Sequence, residues 1–269
     1  MAGLSFAGMR RVWKFLDPAA LLLAGGVLAL LAGAGVVAWR AAGSGETGEG
    51  ISVGALVVGQ LMLGLVVATV AAIAWAAGIA PGSPRAGVRT WVGVAILALA
   101  IGVWLSALAG MTGRLGVGEV GRVWLLFAAW LALWTAAGVV LRPLGAARAV
   151  VIAGVPALVL LALPVAITPG YRAVLAAWGA GATETLSGWM AQACPTLGVI
   201  AAIWDSAPFV WPQRPVMYGL TPLGQDFPMP LPAWGIQTMG FAWVAAALAA
   251  APFAWRWLRG LRGLRRGAH

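Results

Sequence analysis

The sequence predicts an all-α polytopic membrane protein with six transmembrane helices. Three observations carry this. Of 269 residues, 62% are hydrophobic and 9% charged, with mean hydropathy +0.95; a soluble domain carries about 25% charged residues. The apolar residues fall into runs of about 20, the length that crosses a hydrocarbon core. The basic residues concentrate in alternate breaks between those runs, as the positive-inside rule requires.

Residues 1–17 read as an interfacial amphipathic helix. Leu4, Phe6, Met9, Val12, Trp13 and Phe15 are apolar, and Arg10, Arg11 and Lys14 are basic, a combination that lies along headgroups. Asp17-Pro18 starts the next helix, with Asp as N-cap and Pro in the first turn. Span 1 covers residues 19–39. Its run is longer than the core of a signal peptide, so an uncleaved span is expected. Gly25, Ala29 and Gly33 form a small-xxx-small series, expected to pack within the monomer in preference to forming a dimer face.

Span 2 covers residues 51–79, and Gln60 is its one strongly polar side chain. Span 3 covers 88–110 and span 4 covers 122–141. Span 5 covers 148–167 and holds Pro156 and Pro164, which free backbone carbonyls and kink a helix. The breaks at 40–50, 80–87, 111–121 and 142–147 are rich in Gly, Pro or charge. Residues 19–167 thus hold five spans.

Residues 168–234 depart from this pattern. They hold three of the seven acids, the one cysteine, both tyrosines, five tryptophans and more than half of the prolines. Such a stretch is too long for an ordinary connection, and its tryptophans do not suit disorder. It is expected to form an ordered extracytoplasmic cap. Residues 171–186 and 188–204 would make a re-entrant or interfacial helical hairpin broken at Ser187-Gly188. An extended Pro-rich loop would follow over 208–232, because each residue before a proline is pushed toward extended geometry. A seventh span at 188–204 is disfavoured: it is short, and it would place the basic tail on the wrong side. Span 6 covers 235–255. In the tail, 256–269, Arg256, Arg259, Arg262 and Arg265 stripe one helix face and Leu258, Leu261 and Leu264 the opposite one.

With both ends inside, the inner segments carry 12 of 17 basic residues and one acid, net +11, and the outer segments net −1. This expectation places the chain in a bacterial cytoplasmic membrane. The total charge of +10 then reflects loops held by anionic lipid headgroups, not nucleic acid. One cysteine excludes an internal disulfide. The one histidine, His269, excludes His-based metal hydrolysis and Ser-His chemistry. No span interior carries an unambiguous acid or base, which argues against proton-coupled transport and intramembrane proteolysis. No cofactor, metal site or catalytic residue is expected. Cys194, with no histidine to activate it, reads as a small buried apolar residue.

Several residues carry the resemblance to a family. Met9-Arg10-Arg11-Val12-Trp13-Lys14 is similar to an elbow helix. Ala193-Cys194-Pro195-Thr196-Leu197, Leu231-Pro232-Ala233-Trp234 and Trp257-Leu258-Arg259 fall at corresponding places. With six spans and an insertion between spans 5 and 6, the chain resembles the permease subunits of ABC-2 type transporters. Where that family has a charged coupling helix, this chain has Ala80-Pro81-Gly82-Ser83-Pro84-Arg85-Ala86-Gly87. The resemblance implies a homodimer that exports a hydrophobic or amphipathic substrate, driven by a separate cytoplasmic ATP-binding subunit. It implies that Gln60, Trp189, Gln192 and Trp204 line the substrate pathway and that Arg85 and Arg89 lie near the ATPase. Arg172, Glu184, Asp205, Arg214 and Asp226 would belong to the cap. Two other classes stay open: a non-catalytic membrane subunit or assembly factor, and an interfacial lipid-modifying enzyme using Asp205, Asp226 and Arg214.

Overall fold

The structure, a computed structural model, describes residues 18–43, 53–79, 86–113, 115–203 and 232–266. Every element among them is helical. In chain order they are α1 (Pro18–Gly43), α2 (Val53–Gly78), α3 (Ala86–Thr112), α4 (Val117–Leu141), a 3-10 turn (Arg142–Leu144), α5 (Ala146–Ala193), α6 (Pro195–Ala202) and α7 (Trp234–Arg266). Six of them contain stretches long and apolar enough to cross a membrane: Ala19–Val36, Val57–Gly78, Ala86–Thr112, Val117–Leu144, Ala146–Leu163 and Trp234–Pro252. The protein is an integral membrane protein by this measure.

Two helices form the centre. Buried residues make up 61% of the span in α2 and 56% in α4, against 22% in α1 and α5 and 17% in α7. A helix that is apolar all round belongs inside a bundle, and α4 fits, with Phe127, Trp130 and Leu131 all buried. α7 packs most extensively on α4; α2 also lies on α4, and α1 and α3 close one side. The Trp130 ring meets Phe241 of α7 edge-on at 5.0 Å and Trp134 at 5.3 Å.

The contacts also give direction. Arg122 at the start of α4 lies over the Trp234 ring at the start of α7, and Trp130 meets Phe241 about two turns on, so α4 and α7 run parallel. Thr69 bonds Trp130 and Ala76 bonds Arg142, so α2 runs parallel to α4 too. Trp124 bonds Ala98 and Arg142 bonds Thr90, so α3 runs opposite.

Three expectations change. The break at 111–121 shrinks to residues 113–116, because α3 continues to Thr112 and α4 begins at Val117. The Gly25/Ala29/Gly33 stripe does not pack against the described residues. Those residues are exposed, and added Cβ atoms at Gly25 or Gly33 meet nothing. The buried face of α1 is Ala20, Ala24, Val27 and Leu31, about 170° round the helix from the stripe at ~100° per residue.

The third change concerns α5. Its backbone stays helical through Ser187-Gly188; the break lies at Gly179 (φ 79, ψ 172), a conformation essentially restricted to glycine. Pro156 and Pro164 do not interrupt it. As one straight rod, 48 residues would measure about 72 Å, over twice a hydrocarbon core. The chain instead turns back, because the Thr196 hydroxyl donates to the Leu161 carbonyl at 2.9 Å. Residues 1–17 and residues 208–231 of the Pro-rich loop lie outside the described residues.

Candidate functional site

The place where the regular bundle is interrupted lies around α6, an eight-residue helix at the level of Leu126, Leu161 and Gln237. That level is about one turn inside Arg122 and Trp234. Seven of its eight residues are buried, against α4, α5 and α7.

The interruption begins at Cys194, whose backbone is extended (φ −92, ψ 106). Pro195 follows and has no N–H to return to Ala191. The Ala191 carbonyl takes the Cys194 N–H at 3.3 Å instead, the Cys194 carbonyl accepts the Gly198 N–H at 3.3 Å, and the carbonyls around the break are short of regular helical donors. In a lipid environment such groups must be satisfied from within the protein. Gln237 does this. Its Nε2 donates to the Cys194 carbonyl at 2.8 Å and the Gln192 carbonyl at 3.0 Å, with Ala191 at 3.5 Å. An amide nitrogen carries two hydrogens, so the two shorter contacts are its bonds. Gln237 is 3% exposed and stands on one α7 face with Phe241 and Ala245.

Gly198 makes the approach feasible. A Cβ there would collide with Gln237 Oε1 and Cδ and come within 3.1 Å of Leu126 Cδ2. The Gln237 Oε1 itself is buried with no hydrogen-bond partner among the described residues. Thr196 ties the other side of α6 to α5 through Leu161. Cys194 is fully buried, as a small apolar residue would be.

Two further polar contacts cross the bundle. At its middle, Trp130 Nε1 donates to Thr69 Oγ1 at 2.7 Å, and the Thr69 hydroxyl donates to the Leu65 carbonyl. At the end away from α6, Arg142 donates through Nε to Ala76 O at 3.0 Å and through Nη2 to Thr90 Oγ1 at 2.8 Å. Ala76 is in the last turn of α2, where a cation complements the helix dipole. Gly138 lets α4 come this close, since its Cβ would stand 2.9 Å from Ala76 Cβ.

The residues singled out from the sequence are dispersed. Gln60 is buried, with its Oε1 unpartnered among the described residues and directed toward Gly35 of α1. Trp189 is 75% exposed, and the Gln192 side chain is exposed as well. Gln192 enters the site through its backbone carbonyl. Arg89 is exposed near the start of α3. Arg172 and Glu184 lie on the helical backbone of α5, and their side chains lie outside the description. Arg85, Trp204, Asp205, Arg214 and Asp226 lie outside the described residues.

Gln237, Thr196, Gly198 and Arg142 are the site residues that sequence reasoning passed over. The signal for Gln237 was available: it heads a four-residue spacing with Phe241 and Ala245, so it faces inward. Among the described residues no three His, Cys, Asp or Glu side chains converge. What the arrangement can do is hold a short helix in the mouth of the bundle through uncharged amide–carbonyl bonds. Comparison with protein-family models, curated proteins and solved structures finds no match to the chain.

Proposed function

We propose that the chain is the membrane-spanning permease subunit of an ATP-driven exporter of a hydrophobic or amphipathic substrate, working with a separate ATPase. One observation carries the reading: a short buried helix stands in the mouth of an otherwise regular bundle, and Gln237 satisfies the broken backbone beneath it. Broken helices inside a membrane bundle occur where backbone is buried in protein or lines a cavity, and transporters place their sites there. On this reading α6, with the arm of α5 that leads to it, is a re-entrant outer gate. Bonds from one neutral amide can be exchanged without moving charge through lipid. The scarcity of ionisable groups in the spans suits an apolar cargo.

The test is purification of the intact chain in mild detergent with its associated subunits. A stoichiometric nucleotide-binding partner with vanadate-sensitive hydrolysis is the expected result. A reproducible membrane or extracytoplasmic partner with no ATPase activity overturns it. That second outcome matches the alternative reading, a non-catalytic subunit of a larger complex. The short connections at the Arg142 end favour it, since only residues 79–85 separate α2 from α3 and residues 142–145 separate α4 from α5.

A further inference from the structure

The end of the bundle opposite α6 is where α2 and α4 finish and α3 and α5 begin. Arg142 is its fixed centre, held to Ala76 and Thr90. Arg89 precedes Thr90 on α3, and Arg148 stands in the first turns of α5; both are exposed. Among the described side chains Glu119 is the one acid, and it lies in the first turn of α4, at the far end. The patch around Arg142 therefore faces no described carboxylate.

Charge alone would fit any anion. The surface beside it is more specific. Ile152, Val155 and Val159 follow Arg148 on the same face of α5 at helical spacing, and all three are exposed. On α3, exposed Val88 and Trp91 flank Arg89. A cationic group that leads directly into an exposed apolar track matches a molecule with an anionic head and hydrocarbon tails.

We propose that this end of the bundle binds anionic phospholipid, with the phosphate on Arg89 and Arg148 and an acyl chain along Ile152, Val155 and Val159. Arg142 is the positioning residue: it ties α4 to the ends of α2 and α3 through Ala76 and Thr90, the neighbour of Arg89. The site is independent of whether the chain exports a cargo.

The test uses the purified full chain in detergent, mixed with phosphatidylglycerol or phosphatidylcholine, with bound lipid counted by native mass spectrometry. Phosphatidylglycerol is expected to bind more tightly. The double variant R89A/R148A should weaken that binding about thirty-fold, the factor two basic residues supply at an anionic surface, and leave phosphatidylcholine binding unchanged. R89K/R148K, which keeps both charges, should stay within about three-fold of the parent, since headgroup attraction depends on charge. The tail variant R259A/R262A should retain the binding. Phosphatidylglycerol binding that survives R89A/R148A, or falls equally in the tail variant, overturns the proposal. So does loss in R89K/R148K at an unchanged melting temperature, or full competition by inorganic phosphate.

Discussion

Two glutamines sit inside this bundle, and their surroundings separate them. Gln60 ends against α1 at Gly35, whereas Gln237 supplies both of its amide hydrogens to the Gln192 and Cys194 carbonyls at the break before Pro195. Gln237→Ala should lower stability by about 1–2 kcal/mol, the range for a buried acceptor losing its donor or a membrane hydrogen bond being removed. Gly198→Ala forces a methyl into the same amide and should cost about 1–3 kcal/mol by overpacking. Since both act on one contact, the double variant should fall short of the sum by at least about 0.5 kcal/mol. Thermal unfolding in detergent reads all three, and strict additivity would mean that the two residues do not share a site. Cys194, fully buried beneath the same break, should resist maleimide in the folded protein and react after denaturation. Rapid labelling of the native chain would mean that α6 is not seated in the bundle.

At the scale of elements, the inward face of a helix was the hardest feature to read. The spans themselves were legible to within a few residues, because length and hydropathy suffice to define them. Facing was not, because lipid and protein interior are equally apolar and the pattern that separates core from surface in water is lost. Hence Gly25, Ala29 and Gly33 were expected inside and lie outside. Ala29→Leu should change stability by less than about 0.5 kcal/mol, as surface changes do. Leu31→Ala, on the buried face of the same helix, should cost about 2–5 kcal/mol. The reverse order in a melting experiment would put the stripe back inside. The break in α5 was misplaced for a different reason. Ser187-Gly188 was read as the break, and only backbone conformation shows that Gly179 is the glycine with positive φ. Gly179→Ala should cost about 1–3 kcal/mol for that conformation, while Gly188→Ala, within regular helix, should stabilise slightly.

For the whole molecule, the decisive relation is the parallel run of α2, α4 and α7. α5 begins where α4 ends, and α7 begins beside the start of α4, so whatever lies between residues 164 and 233 starts and finishes at one end of the bundle. A single additional crossing there is incompatible with that packing. The charge distribution expected from the sequence, net +11 on one side and −1 on the other, predicts which end faces the cytoplasm, because basic residues are retained there. In a Cys194→Ser background, an impermeant thiol reagent should label Ser44→Cys and Ser206→Cys in intact cells. It should reach Ser83→Cys and Ala268→Cys only after permeabilisation. Labelling of the second pair alone would invert the orientation and leave the fold intact. Separation of Ser83→Cys from Ala268→Cys would be the more serious result. It would make the number of crossings between them odd, which the Arg122–Trp234 and Trp130–Phe241 contacts do not allow. It would also remove the mouth in which α6 sits, and with it the basis for a gate.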